Sequence, residues 1–478
     1  MLSQWLERAR AGEPVWLPDM RTQCAQLPDP IDVTMQLTLC DGTQRDFPLP
    51  LPRWESDDQR QFVLQYVTAC VWNTLSALSG RELAFYFDPA ETETAALLGK
   101  LDTVFQVHEP TRREYGKVVS IADRLCRAFG CGPFAFALRD KRDYVPAPPF
   151  VPPQGALTQQ LRRAAQRCES GVCCGIDIGG TDIKAAVSVD GQLVCVKEYD
   201  WDPASSPTAE GITGPIVLLV RLMACCAAGL TPELRRALDK NAPDDLMARA
   251  VAASPALPLD VLGVSFPDVV IRDRIVGGES PKTRGMRQNP ALDYEAAFAR
   301  LGDLLTLLRP YCCRGAAVHM TNDGHIAAFT AAAELAWQGD PDLSGGVVAH
   351  ALGTDFGMGY LYGDGSIPEM PVELYDFLLD LGSFPQRELS PDDLRSTRNE
   401  NSGLPGARRY VGQAAAFRLA YEADPSLLDG FTARQGIALT VPADKRKDCL
   451  AHLMARAADG DPAARRVFLQ VGRGVGEM

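Results

Sequence analysis

Two glycine-rich turns and one carboxylate have the residue types and spacing that could do chemistry in this sequence. Residues 175–184 (Gly-Ile-Asp-Ile-Gly-Gly-Thr-Asp-Ile-Lys) and 353–359 (Gly-Thr-Asp-Phe-Gly-Met-Gly) each follow an apolar stretch, and residues 321–324 (Thr-Asn-Asp-Gly) lie between them. Glycine lets a backbone approach a phosphate closely, and consecutive amides can point at its oxygens. One such turn is weak evidence, but three elements in this order are stronger. Together they predict an enzyme that moves the terminal phosphate of ATP.

The composition is that of an ordinary globular protein. The 478 residues, with 46% hydrophobic and 23% charged content, suffice for several domains and exclude wholesale disorder. The net charge of -13 argues against a nucleic-acid or anionic-membrane partner, because phosphate groups select basic faces. No secretory signal is evident, and the longest apolar run, residues 216–230, contains Arg221. We therefore expect a cytoplasmic protein without nucleic-acid or membrane partners.

The 14 cysteines include three adjacent pairs, and no C-x-x-C motif occurs. Neighbouring residues on a strand face opposite sides, so adjacent pairs favour core packing over metal binding. The sequence therefore indicates small, buried, apolar cysteines in a reducing compartment.

Apolar periodicity predicts a mixed α/β chain divided by a proline-rich linker at residues 145–153. After the linker, strands at 172–178, 183–189 and 192–199 predict an antiparallel meander whose first turn is the phosphate candidate. Long helices are expected at residues 57–78, 115–129, 232–253, 294–309 and 325–336.

The sequence from about residue 171 onward resembles the ROK family of sugar kinases and repressors, which belongs to the actin-like ATPase superfamily. The resemblance is specific at the three turns and extends to residues 264–267 (Val-Ser-Phe-Pro) and 280–286 (Ser-Pro-Lys-Thr-Arg-Gly-Met). It implies an α/β, two-lobed actin-like ATPase (ribonuclease H-like) fold, with ATP and Mg²⁺ as cofactors and a small sugar-like substrate.

The resemblance also assigns a role to each site residue. Asp177 would organise the magnesium through water, and Asp323 would be the catalytic base. The phosphate-binding residues would be Asp177, Gly179, Gly180, Thr181, Gly353, Thr354 and Gly357, and the substrate-binding residues Asn322, Lys282 and Glu373.

The chemistry of Asp323 agrees with that role. Phosphoryl transfer needs positioning and charge neutralisation, and a carboxylate beside the attacking hydroxyl can orient it and accept its proton. The alternative is that Asp323 only caps the helix that follows, since Asp is a favoured cap. Lys184 is interpreted as a solvated strand residue, and His325 as a residue on the helix surface.

The sequence departs from the family pattern at four points. Asp355 stands where the family has Gly, and a carboxylate beside phosphate is repulsive unless it meets magnesium. No cysteine lies between Cys313 and Cys449, so the family's zinc cluster is missing and no zinc is expected. Lys282 and Arg284 occupy neutral positions of the sugar loop, which suggests an anionic or modified sugar; the alternative is that both are solvated loop cations. The chain stops where the family continues into an adenine-binding turn, so a longer natural protein is expected.

The sequence thus predicts an N-terminal α/β accessory domain of unknown role at 1–144 and a linker at 145–156. A small kinase lobe with Asp323 would follow at 157–344, and a large lobe, cut short, at 345–478. The predicted function is ATP- and Mg-dependent phosphorylation of a sugar or sugar derivative. A non-catalytic sugar or nucleotide sensor and a partner-driving ATPase are the alternatives, and a homodimer is left open.

Overall fold

The computed structural model describes residues 1–109, 112–277, 281–339, 342–352, 356–383, 389–390, 392–398 and 403–478. The fold is mixed α/β, with several sheets. Two compact units divide the chain. Unit 1 contains Met1–Phe150, Ala351–Gly357 and Pro371–Met478, and unit 2 contains Val151–His350 and Met358–Met370.

The N-terminal part of unit 1 packs helices on a four-stranded sheet of order β2-β1-β3-β4. Strands β3 and β4 are parallel, and the other pairs are antiparallel. The 22-residue helix α3 has the bounds that the sequence predicts. Its start is fixed by Ser56, whose hydroxyl accepts a hydrogen bond from the Gln59 amide. The elements are α1 (Leu2–Arg10), α2 (Leu17–Ala25), β1 (Thr34–Thr38), β2 (Gln44–Pro48), α3 (Asp57–Leu78), β3 (Glu82–Phe87), α4 (Thr92–Leu98), α5 (Leu101–Val104), α6 (Gly116–Phe129) and β4 (Ala135–Asp140).

Unit 2 is built on a five-stranded mixed sheet and the helices that cover it. Its elements are α7 (Leu157–Cys168), β5 (Val172–Ile178), β6 (Asp182–Val189), β7 (Gln192–Asp200), α8 (Ala209–Ala228), α9 (Pro232–Ala237), α10 (Asp244–Ala253), β8 (Leu259–Phe266), β9 (Val270–Ile271), β10 (Arg274–Ile275), α11 (Arg284–Gln288), α12 (Tyr294–Gly302), α13 (Leu304–Leu308), β11 (Cys312–Asn322) and α14 (Asp323–Trp337). The residues of two further strands, β12 (Val347–Leu352) and β13 (Phe356–Leu361), are divided between the units.

The strand order of the unit 2 sheet, β11-β8-β5-β6-β7, sets the position of the predicted site. Strands β5, β6 and β7 form the predicted antiparallel meander, while β8 is parallel to β5 and β11 is parallel to β8. Asp177 is paired with Ser265, and Ser265 with Thr321. Because the carboxyl ends of parallel strands meet at one edge, the segments after β5, β8 and β11 lie side by side.

Two long helices expected from the sequence are each broken in two. The helix predicted at 232–253 is interrupted between α9 and α10, where Pro243 precedes the second helix. A residue before proline is driven out of the helical region, so the first helix cannot continue through it. The helix predicted at 294–309 ends at Gly302 and resumes as α13, since glycine is a poor helix former.

Helix α8 is long and apolar enough, by length and composition, to cross a membrane. Over half of that apolar stretch, 56%, is buried inside the protein. Ile212, Ile216 and Leu219 belong to the same core as the strands of the unit 2 sheet. Packing over the sheet therefore accounts for the apolar character of α8.

The C-terminal part of unit 1 is mainly helical, as expected, with α15 (Gln413–Ala423), β14 (Ala433–Gln435), β15 (Ala438–Thr440), α16 (Arg446–Ala458) and α17 (Pro462–Glu477). The predicted start of α17 is confirmed, because the Asp461 carboxylate accepts hydrogen bonds from the amides of Ala463 and Ala464.

The N- and C-terminal parts of unit 1 share buried polar contacts. The Trp72 indole donates to the Asp376 carbonyl at 2.7 Å. Asp380, only 2% exposed, accepts hydrogen bonds from the Val15 amide and from the Tyr410 hydroxyl. The N-terminal residues are therefore packed with the chain after residue 371, which the sequence analysis did not anticipate. The four domain assignments stay predictions.

Candidate active site in unit 2

The first glycine turn, residues 179–181, connects β5 to β6 and is closed by backbone hydrogen bonds. The Gly179 amide donates to the Asp182 carbonyl at 2.8 Å, and the Trp201 indole donates to the Gly179 carbonyl at 3.1 Å. A β-carbon at residue 179 would lie 2.8 Å from Asp182 Oδ1 and 2.9 Å from Asp182 O. Only glycine fits there without moving the turn.

The next two backbone amides of the turn belong to Gly180 and Thr181. Among the residues that the structure describes, no acceptor is found for the amides of Gly180 and Thr181, and both residues are exposed. Consecutive free amides in a turn form a concave donor site for an anion. Lys184 is exposed and forms an ion pair with Asp182 at 2.7 Å, so its interpretation as a solvated residue is confirmed.

Asp323 lies at the carboxyl end of β11, where α14 begins. The N-cap residue of α14 is Asn322, whose Oδ1 accepts from the Gly324 amide at 2.8 Å. Asp323 Oδ1 accepts from the same amide at 2.9 Å. Asn322 therefore supplies the capping function that was the alternative explanation for Asp323, although Asp323 adds to it. The role of Asp323 as a base stays a prediction.

The surroundings of Asp323 alter its acidity. Its side chain is accessible to solvent, yet the protein around it disfavours the charged form and raises its pKa. The positive charge of Lys282 opposes this rise in pKa, and the negative charge of Asp177 adds to it. One ammonium group and a second carboxylate thus act in opposite directions on the pKa of Asp323 at this edge of the sheet.

Lys282 and Asn322 hold the segment that follows β8. Lys282 Nζ donates to the Pro267 carbonyl at 3.1 Å, and Asn322 Nδ2 donates to the Asp268 carbonyl at 3.0 Å. A β-carbon at residue 180 would lie 3.5 Å from Lys282 Cε, so the lysine stem passes beside the first glycine turn. The structure therefore brings together the predicted residues of unit 2: Asp177, Gly179, Gly180, Thr181, Lys282, Asn322 and Asp323.

Two polar residues near the site were not singled out from the sequence. Ser265 is 3% exposed, and within the described part of the chain its hydroxyl has no hydrogen-bond partner. It is paired with Asp177, and paired residues share a face of the sheet. Asp268 is buried, and its Oδ1 accepts from the Val269 amide at 2.7 Å. Two features of the sequence indicated Ser265, namely its place in the family-like segment 264–267 and its polarity within the apolar run of β8, but neither was interpreted as a site role.

Other predicted site residues are not part of this grouping. Gly353 and Thr354, together with Asp355, lie outside the described residues. Gly357 and Glu373 belong to unit 1, where the Glu373 amide donates to the Ser76 carbonyl at 3.0 Å. Their assignments to phosphate and substrate stay predictions.

The prediction that His325 lies on the helix surface is wrong. His325 is 3% exposed, and its Nδ1 is 3.2 Å from the Tyr360 amide, which donates to it. The helix start approaches β13 so closely that a β-carbon at Gly324 would lie 2.2 Å from the Met358 carbonyl oxygen. Two glycines, Gly324 and Gly359, permit this approach, and it encloses the imidazole.

We expect His325 to make unit 2 less stable in mild acid. Burial lowers the pKa of His325 from 6.5 to about 4. Above pH 6.5 both folded and unfolded imidazoles are neutral, and as pH falls toward 4 only the unfolded one binds a proton. Each pH unit in this window then costs about 1.4 kcal/mol, approaching a total of about 3 kcal/mol. Urea unfolding between pH 7.5 and 4.5 measures this loss.

The matched variants for this prediction are His325→Asn and His108→Asn. Asparagine keeps an acceptor for the Tyr360 amide but cannot titrate, so His325→Asn should flatten the pH dependence. His108 is exposed, and its replacement should leave the pH dependence intact. A pH dependence that is the same in His325→Asn as in the parent would contradict the assignment.

The two glycines of the first turn should respond differently to alanine. Gly179→Ala places a methyl group against the Asp182 backbone, whereas Gly180→Ala meets only the flexible end of Lys282 at 3.5 Å. We expect Gly179→Ala to destabilise unit 2 by about 1–3 kcal/mol and Gly180→Ala to remain near the parent. Thermal unfolding of the two variants checks this; equal midpoints would show that the turn is not tight at residue 179.

No protein-family model and no curated protein matches the chain. Among solved structures, a ROK hexokinase from Thermus thermophilus is 18% identical, with a TM-score of 0.32, 64% of this chain covered and 75% of that chain. A glucokinase from Parabacteroides distasonis is 17% identical (TM-score 0.35; 64% and 68% covered). An inorganic polyphosphate/ATP-glucomannokinase from Arthrobacter sp. strain KM is 20% identical (TM-score 0.26; 43% and 64% covered). Likenesses this distant assign neither a family nor an activity to the chain.

Proposed function

We propose that this protein is an ATP- and Mg-dependent kinase that phosphorylates a hydroxyl group of a sugar or sugar derivative. The observation that carries this proposal is the first glycine turn, whose free amides lie beside a lysine and near two carboxylates. Phosphoryl transfer requires phosphate positioning, charge neutralisation and a group that orients the attacking hydroxyl. Unit 2 offers residues for all three tasks.

The residues present fit a bound nucleotide and metal ion. The amides of Gly180 and Thr181 would hold phosphate oxygens, and the exposed carboxylate of Asp177 would hold magnesium through water. ATP would supply the transferred phosphoryl group, and magnesium would offset its charge. Ser265 is the strand partner of Asp177, and its hydroxyl, which has no hydrogen-bond partner among the described residues, is a further polar group that a ligand or water could satisfy.

Asp323 would act as the base in this reaction. It would accept the proton of the substrate hydroxyl as the new phosphate ester bond forms. A raised pKa brings a carboxylate nearer to the acidity at which proton acceptance is efficient. The charge of Lys282 opposes that rise, so the lysine would keep the base ionised while its ammonium group neutralises phosphate charge.

The assignment of the chain to the two-lobed actin-like ATPase fold is part of the same proposal. The antiparallel meander β5-β6-β7 that the sequence predicts is extended in the structure by the parallel strands β8 and β11, which supports assigning this sheet to an actin-like ATPase lobe. Residues 353–357 would form the second phosphate turn, and Glu373 would reach the substrate.

The proposal is tested by measuring ADP formation from Mg-ATP with a panel of neutral, amino and acidic sugars, alongside thermal shifts with each ligand alone. We expect the rate of ADP formation to depend on the sugar and to be lost when magnesium is omitted. Because Lys282 and Arg284 are cationic, an anionic or modified sugar is expected to be the best acceptor. Sugar binding without turnover would favour the sensor instead. ADP formation independent of every sugar would favour an ATPase that drives a partner.

Lys282→Met should shift the pH dependence of the reaction. Removing the ammonium group takes away the charge that lowers the Asp323 pKa, so the acidic limb of the pH–rate profile should move to higher pH. The maximal rate should also fall roughly tenfold or more, since one neutralising charge at phosphate is lost. The profile is recorded with the best acceptor at saturating Mg-ATP.

Arg284→Met is the matched control, because Arg284 lies two residues away and is exposed. The acidic limb of the Arg284→Met pH–rate profile should lie at the same pH as in the parent. If the acidic limb of the Lys282→Met profile does not move, the charge of Lys282 does not lower the pKa of Asp323.

A further inference from the structure

Three cysteines of unit 1 lie close together although they are far apart in sequence. The sulfur atoms of Cys40, Cys126 and Cys131 all lie within 4.8 Å of one another. The Cys40 and Cys126 sulfurs are 3.8 Å apart. Cys126 is buried, while Cys40 and Cys131 are partly accessible. This thiol cluster was not predicted, because none of its members belongs to an adjacent pair or a C-x-x-C motif.

The backbone holds the three thiols in place. Cys40 lies in the hairpin between β1 and β2, which is closed by the Leu39 amide donating to the Thr43 carbonyl at 2.8 Å. At the end of α6, Gly130 adopts a left-handed conformation with φ 72°, and the Cys131 amide donates to the Cys126 carbonyl at 2.8 Å. This helix-terminating turn brings Cys131 back beside Cys126.

The 3.8 Å between the Cys40 and Cys126 sulfurs matches two ligands of one metal ion, and the other two sulfur pairs lie within 4.8 Å. For a metal–sulfur bond of about 2.3 Å, tetrahedral geometry places two sulfurs about 3.8 Å apart, and trigonal geometry about 4.0 Å apart. A disulfide would require the sulfurs to approach to about 2.05 Å. Thiolates select soft ions such as zinc, cadmium or copper(I) over magnesium.

The surroundings of the thiol cluster also suit a cation. The carbonyl groups at the C-terminus of the 14-residue helix α6 carry partial negative charge that favours a cation. A surface cleft is lined by Gly42 and Gly132, which lie two residues from Cys40 and one residue from Cys131 in the sequence.

Binding of a metal ion at the thiol cluster would displace the protons of the thiols. A sulfur atom binds a metal ion as the thiolate, so each metal–sulfur bond takes the place of an S–H bond. Binding a divalent ion forms three metal–sulfur bonds and releases three protons to solvent, with no change of oxidation state.

We propose that Cys40, Cys126 and Cys131 bind one thiophilic metal ion of the zinc and cadmium class, with a fourth position open to water. The ion joins the β1–β2 hairpin to the C-terminus of α6. This proposal departs from the sequence-based expectation that the protein holds no zinc, which was drawn from the absence of cysteines between Cys313 and Cys449. The proposed site is independent of the kinase function in unit 2.

The experiment titrates the reduced, metal-stripped full chain with cadmium and follows the ultraviolet thiolate-to-cadmium charge-transfer absorption. One equivalent should saturate the signal, with release of protons into a weakly buffered indicator solution. Zinc should displace the cadmium signal. Cys40→Ser and Cys131→Ser should each reduce the absorption per cadmium by about a third and weaken binding at least tenfold, by analogy with the cost of perturbing a metal site.

Cys168→Ser is the matched control. Cys168 is exposed, interacts with Cys173 and lies in unit 2, so its loss should change nothing. The proposal is overturned if the parent chain gives no saturable thiolate absorption, or if Cys40→Ser and Cys131→Ser titrate like the parent. Mass spectrometry showing a Cys40–Cys126 disulfide that forms in place of metal binding under reducing conditions would also overturn it.

Discussion

Asp323→Asn is expected to abolish sugar phosphorylation while leaving nucleotide binding intact. Asparagine keeps the oxygen that accepts from the Gly324 amide at 2.9 Å but cannot take the proton of the substrate hydroxyl. Removing a general base costs about 10²–10⁴-fold in rate. The first glycine turn is untouched, so the thermal shift caused by Mg-ATP should remain. The rate is measured as ADP formation with the best acceptor from the sugar panel.

Asp245→Asn controls for the loss of a carboxylate elsewhere in unit 2. Asp245 is exposed on α10 and pairs with Arg249 at 2.7 Å, and an exposed pair of this kind contributes little to stability. This variant should retain parental rate and stability. If Asp323→Asn turns over as fast as Asp245→Asn, Asp323 is not the base. Because Asn322 caps α14 independently, a lower rate at unchanged stability would separate chemistry from capping.

Local signals were enough to predict most elements of unit 2. Strand β5 has the predicted bounds, and α14 begins two residues earlier than expected. Hydrophobic alternation and turn residues determine these elements over short stretches of chain. Two of the long helices were predicted with less success, since Pro243 and Gly302 interrupt apolar patterns that otherwise continue.

The grouping of Asp177 and Asp323 could be anticipated from two motifs that each end a strand. Sequence could not supply the strand order that brings β11 and β5 to the two sides of β8. The register that pairs Asp177 with Ser265 depends on long-range packing, so the buried hydroxyl was not recognised as part of the site.

Contacts between distant segments were the least predictable. The buried Asp380 binds groups from residues 15 and 410, and the thiol cluster joins residue 40 to residues 126 and 131. A proline-rich stretch indicates a domain boundary in the sequence. Burial of apolar surface can nevertheless pack together segments that precede and follow such a stretch. His325 was misplaced for the same reason, because the glycine contact that buries it involves a strand far along the chain.

Gly359→Ala is expected to have a large effect on the stability of unit 2. A β-carbon at residue 359 would lie 1.8 Å from the Gly324 carbonyl oxygen and 2.6 Å from the His325 amide nitrogen. Both atoms belong to the backbone at the start of α14, so no side-chain rotation can relieve the clash. Overpacking commonly costs about 1–3 kcal/mol, occasionally more, and we expect about 3 kcal/mol or more here. Thermal unfolding and limited proteolysis of the full chain measure it.

Gly263→Ala is the control, since a β-carbon at this strand residue would meet nothing within 4 Å. Alanine there should be neutral or slightly stabilising, because it restricts the unfolded chain. Gly359→Ala should also impair phosphorylation, because relief of the clash displaces the helix start that carries Asp323. Equal unfolding midpoints for the two variants would mean that α14 and β13 are not in backbone contact. A destabilised Gly359→Ala with parental turnover would instead show that Asp323 holds its position without the glycine contact.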